Sequence, residues 1–154
     1  MKAFYVAAAL AAITMTAPAS AQDWNLNPTY GQATLRAGFT PDPYNVQVTS
    51  GGSIRASDRF SNCAGYIANA PDFRLHWDGR GNLPLVISVS SRADTTLVIN
   101  GPDGQWWCDD DSGEGTNPSV RFNSPASGQY DIWVGNYANE NNPATLSISE
   151  LYSH

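Results

Sequence analysis

Lysine is nearly missing from this chain of 154 residues: Lys2 is the only one. Past it, seven arginines face 14 carboxylates, a net charge near −7. Nucleic acids and anionic membranes reward clusters of Lys and Arg, so neither is expected as a partner. Cysteine is scarce as well, with Cys63 and Cys108 alone, and neither sits in a C-x-x-C or other zinc-like spacing. Histidine is limited to His76 and His154, which leaves little for general-base chemistry. Beyond the first residues no apolar run approaches the ~18 needed to cross a membrane. Nor does any segment keep a helical period for more than a turn or two.

The first 21 residues read as an address. Lys2 supplies a positive start, Ala3 to Ile13 an apolar stretch, and Ala19-Ser20-Ala21 a small-residue cleavage site, so the mature chain is expected to begin at Gln22. An exported protein, periplasmic or secreted, follows. In that compartment the two cysteines most simply pair with each other, and the alternative is two free thiols. The remaining 133 residues fit one domain, 22–154.

Short runs of strand-forming residues then recur between Gly, Pro, Asn and Asp. They are Tyr30 to Phe39, Tyr44 to Thr49, Ser53 to Ser57, Phe73 to Trp77 and Leu85 to Ser90. Thr95 to Asn100, Gln105 to Cys108, Ser119 to Phe122, Gln129 to Val134 and Thr145 to Leu151 complete the set. Such spacing predicts an all-β fold, an antiparallel β-sandwich of roughly 8–10 short strands. Leu85, Ile87 and Val89 alternate with Val86, Ser88 and Ser90, and Leu97 and Ile99 with Thr96, Val98 and Asn100. One face is therefore expected toward a core and the other toward solvent.

The stretch Asp94 to Gly115 joins a strand, a Gly-Pro-Asp-Gly turn, a second strand and the acidic run Asp109-Asp110-Asp111. Together with Pro125-Ala-Ser-Gly128-Gln-Tyr130-Asp-Ile-Trp-Val134, it resembles the bacterial pre-peptidase C-terminal domain over about 94–151. The resemblance implies a jelly-roll-like sandwich without catalytic residues, usually appended to secreted peptidases. Here no peptidase domain is expected before it. Related collagen-binding and sugar-binding sandwiches hold calcium in acidic loops.

Three adjacent carboxylates in an anionic chain make calcium the expected cofactor, since it takes flexible sets of oxygen ligands. Asp109, Asp110 and Asp111 are the first candidates, and Asp94, Asp103, Glu114 and Asp131 are placed to join from neighbouring strands. The alternative is a solvated acidic turn. Asp111-Ser112-Gly113 echoes a peptidase nucleophile, but a serine needs an oriented histidine, and His76 and His154 lie in no suitable motif. Ser112 is expected to be inert. Trp106, Trp107, Trp133 and Tyr137 are candidates for stacking against a ligand, such as the rings of a polysaccharide. Because side chains alternate, Trp106 and Trp107 cannot both face one core. The bland reading is that the tryptophans close the sandwich and cover the disulfide. The sequence thus points to a non-catalytic exported module with an extracellular protein or polysaccharide as partner.

Overall fold

The computed structural model describes residues 22–154; the signal-peptide expectation falls on residues 1–21 and lies outside them. The strands are β1 (Gln32–Arg36), β2 (Tyr44–Ser50), β3 (Ile54–Arg55), β4 (Tyr66–Ile67), β5 (Phe73–Asp78), β6 (Leu85–Ser91), β7 (Thr95–Asn100), β8 (Trp106–Asp109), β9 (Ser119–Phe122), β10 (Gly128–Asn136) and β11 (Asn142–Ser149). Among the described residues one 3-10 turn, Ala56–Asp58, follows β3. The chain crosses repeatedly between two sheets. The larger runs β1-β5-β10 and continues from β10 to β7 and β8, with β4 and β3 extending it past the end of β5. The smaller has the order β2-β11-β6-β9. The expected sandwich is what forms.

One pairing departs from the antiparallel expectation: β1 runs parallel to β5, with Ala33 opposite Leu75 and Leu35 opposite Trp77. The intervening chain passes through β2 in the other sheet, and a crossover of that kind returns a strand in the same direction. Strand β4 has only two residues, too few to show an alternation.

The main core lies between the sheets, where Leu75, Ile87, Leu97, Ile99, Ile132, Leu146 and Ile148 have no exposed surface. Ile87, Leu97 and Ile99 among them lie on the apolar faces that the alternation marked. Part of each outward face is covered rather than left to solvent, and the reason is extra chain. On the larger sheet, Val98 and Trp133 point outward yet are fully buried in a second cluster with Ala56, Cys63 and Ile67. The segment from β3 to β4 lies over them. On the smaller sheet, Ser88 and Ser147 are equally covered. There the C-terminal residues fold back, with the His154 amide donating to Ser88 Oγ at 3.2 Å and Ser153 Oγ contacting Ser119 Oγ.

The late Pro-x-Ser-Gly-x-Tyr pattern has a physical role. Gly128 holds φ at +144°, and a Cβ there would meet Pro102 Cβ at 2.6 Å. Two residues on, the Tyr130 hydroxyl donates back to the Ala126 carbonyl at 2.9 Å. The strand entry is locked against the Gly-Pro-Asp-Gly turn.

Candidate functional site

β8 and the loop after it hold most of the predicted site residues. Cys108 lies opposite Val98 on β7 and Trp106 opposite Asn100, so both point outward. Trp107, opposite Ile99, points into the main core and meets Phe122 edge-on with centroids 5.1 Å apart. Cys108 reaches the covering segment and is bonded to Cys63, with Cα atoms 5.3 Å apart. The disulfide expectation is met.

The acidic residues do not gather into one cage. Asp109 is consumed by its own loop: Oδ2 accepts from the amides of Ser112 at 3.0 Å and Ser119 at 2.8 Å, and Oδ1 accepts from Ser112 Oγ at 2.6 Å. These bonds tie the end of β8 to the start of β9. Asp103 belongs to the preceding turn and accepts from the Gln105 amide at 3.0 Å. Burial and the Asp103 charge together push the Tyr130 hydroxyl up to about 12. Glu114 is exposed, and Asp131 is buried and paired elsewhere. Asp94 differs from all of these. Its Oδ1 is buried with no hydrogen-bond partner, and burial, then the Asp111 and Asp110 charges, hold its carboxyl above the usual range. Among the described residues no three His, Cys, Asp or Glu side chains converge as a metal-holding group.

Ser112 gives its hydroxyl to a carboxylate rather than to an imidazole. His76 is on β5, and in the larger sheet β10 and β7 stand between β5 and β8. Three strand spacings amount to ~14 Å.

The predicted aromatic surface is divided. Trp133 has no exposed surface and so presents no face to a ligand, while Trp107 belongs to the core. Tyr137 is 54% exposed on its own loop. Trp106 remains, together with a tryptophan that periodicity did not single out. Trp24 lies 6.3 Å from Trp106 at an interplanar angle of 59° and is 42% exposed. The two indoles line an open cleft of about 440 Å³ together with Asn100, Gly104, Gln129 and Asp131.

A buried ion pair sits beneath that cleft. Arg74 Nε donates to Asp131 Oδ1 at 2.6 Å, across the β5–β10 register in which the two residues are opposite. The guanidinium also donates through Nη2 to the carbonyls of Trp24 and Leu26. Asp131 Oδ2 accepts from Gln129 Nε2 at 2.7 Å. A signal for the pair was present in the sequence, since Arg74 and Asp131 are opposite charges that each alternate with apolar residues, Phe73 and Leu75 on β5 and Tyr130 and Ile132 on β10.

The fold and these sites define a disulfide-tied, two-sheet β-sandwich with a covered outer face. No protein-family model matches the chain, and no curated protein matches it. Among solved structures it is similar to the crystal structure of Aeromonas hydrophila PliG, a periplasmic lysozyme inhibitor of g-type lysozyme. The identity is 14% and the TM-score 0.41, over 77% of this chain and 96% of that one. A likeness at that level carries no argument about partner or activity.

Proposed function

We propose that this chain is a non-catalytic exported module that binds an extracellular polymer through the outer face of its larger sheet. The observation that carries this reading is the open cleft edged by Trp24 and Trp106 and backed by fixed amide and carboxylate groups. Concave sites with aromatic walls and a few oriented polar groups are where ligands bind. The Cys63–Cys108 bond favours an oxidising compartment. The resemblance to the pre-peptidase C-terminal domain points the same way, to a sandwich without chemistry of its own. The reading is tested by screening the purified mature chain against polysaccharide and peptide arrays, with casein zymography alongside. Capture on either array that is lost in Trp24→Ala is expected. Proteolysis of casein that vanishes in Ser112→Ala would overturn it.

Calcium is a second element of the proposal, favoured by the unpartnered Asp94 Oδ1 beside two further carboxylates. Asp94, Asp110 and Asp111 are the residues that would meet the ion, and because they do not converge in its absence the loop would have to draw together around it. Its part there would be to neutralise like charges and firm the loop, in the way extracellular modules use it.

A further inference from the structure

We propose that the cleft between Trp24 and Trp106 is a subsite for a neutral hexose unit of a polysaccharide, with Trp24 as its stacking face and Arg74 as the pin that sets it in place. The inference rests on the outer-face binding reading and gives it a ligand class.

A pyranose ring presents an apolar face of C–H groups and a rim of hydroxyls. It calls for an exposed indole bordered by amide and carboxylate groups that can both donate and accept. Trp24 supplies such a face, because it meets Trp106 at a wide angle and keeps 42% of its surface exposed. Trp106 cannot swing aside to fill the space. Phe60 lies against it at 4.3 Å between centroids and Trp133 at 5.3 Å, both within 40° of parallel. It is a wall, and Trp24 is the platform.

The polar side is equally fixed. One guanidinium orients both sides of the cleft. Through Nη2 it holds the backbone that carries Trp24, and through Asp131 it holds the Gln129 amide. Arg74 and Asp131 have side-chain exposures of 13% and 2%, so this pin is set before any ligand arrives. Preorganisation of this kind lowers the ordering cost of binding. Gln129 spends one N–H on Asp131, and its other N–H and its oxygen remain for hydroxyls.

Charge decides the class of sugar. Asp131 is the only charged residue lining the cleft and is neutralised by Arg74. Over its whole length the mature chain carries seven arginines against 14 carboxylates. An anionic polymer is repelled at long range and finds no free cation in the cleft, and a cationic one finds no free carboxylate.

The test is native affinity electrophoresis of the mature chain through gels containing a neutral glucan, a mannan or a galactan. Alginate gels and a peptide array serve as the charged and protein arms. Retardation by at least one neutral polymer and none by alginate is expected. Trp24→Ala should weaken that retardation at least tenfold with the melting temperature essentially unchanged, and Trp24→Phe should keep most of it. Retardation by alginate alone, or neutral binding indifferent to Trp24→Ala, overturns the subsite. Peptide capture that depends on Trp24, without polysaccharide binding, also overturns it but leaves the outer-face reading standing. No ligand in any arm removes both.

Discussion

Asp72, at the head of β5, is 3% exposed, and its Oδ2 accepts the Val134 amide at 2.7 Å. Burial outweighs that bond and pushes its carboxyl up to about 7. The folded state therefore holds a proton that the unfolded chain releases near pH 4. The stability this proton contributes is complete below that pH and is lost as pH rises through about 7. Across the window it amounts to about 1.4 kcal/mol per pH unit, ~4 kcal/mol in all. Asp72→Asn keeps a neutral acceptor for the Val134 amide. In urea midpoints from pH 4 to 8 the variant should gain steadily on the parent chain as pH rises. A constant difference between the two would show that Asp72 is charged throughout. Gly135 is a second position decided by a single group. A Cβ there would meet Thr96 Oγ1 at 2.2 Å and the Tyr66 carbonyl at 2.8 Å, with backbone on one side and a buried β-branched side chain on the other. Gly135→Ala should cost about 1–3 kcal/mol, the range for overpacked cores, read as a lower urea midpoint. None of this was legible from residue types alone. A buried carboxylate and a glycine pressed by a neighbouring strand are both consequences of tertiary packing.

Among the elements, β5, β6, β7, β9 and β10 were legible because each alternates cleanly and ends at a turn residue. β8 was legible in a subtler way. Two adjacent tryptophans must take opposite sides of a strand, and here Trp107 enters the core while Trp106 joins the outer cluster. Trp133 shows the limit of that logic: it points outward, as read, but a second layer of chain covers it completely. Period-two patterning assigns a side and says nothing about what lies on that side. The acidic loop is a similar case. Its composition suggested six or more converging carboxylates, yet Asp109 turns back to its own backbone amides and Asp103 closes a separate turn. What is left for calcium is Asp94 with Asp110 and Asp111. With few protein ligands, affinity belongs at the weak end for extracellular sites, ~10⁻³ M. At 10 mM calcium the linkage gain is then about 1.4 kcal/mol, which for a domain of this size raises the melting temperature by roughly 5 °C. Magnesium should do much less, because it sheds water reluctantly. Asp94→Asn should remove the calcium shift while raising the melting point in EDTA, since it relieves repulsion from Asp111 and Asp110. Melting curves that coincide in calcium and EDTA would leave the loop as a solvated turn.

For the molecule as a whole, the sandwich could be read from spacing, but the pairing of its strands could not. The chain changes sheet at seven of its ten strand-to-strand connections, so most of its contacts are between residues distant in sequence. The segment between β3 and β4 is the extreme case. It contributes only two short strands to the ladder, and its buried side chains are few: Ala56, Cys63 and Ile67, with Phe60 partly buried. Its attachment to the outer face therefore depends on the Cys63–Cys108 bond, which spans a sequence separation of 45. Closing a loop of that length removes unfolded-state entropy worth about 4 kcal/mol. Against a net stability of about 5–15 kcal/mol for a typical domain, that is a large share. The double variant Cys63→Ser, Cys108→Ser should lose about that much in urea unfolding. The loss should also be spatially uneven. Amides of residues 53–69 should exchange with solvent well before those of β6, β10 and β11, whose partners lie in the main core. Trp106, which leans on Phe60, should become more exposed and quench more readily. If the reduced and oxidised chains unfold at the same midpoint, with residues 53–69 equally protected in both, the covering layer holds by packing alone and the disulfide contributes nothing to it.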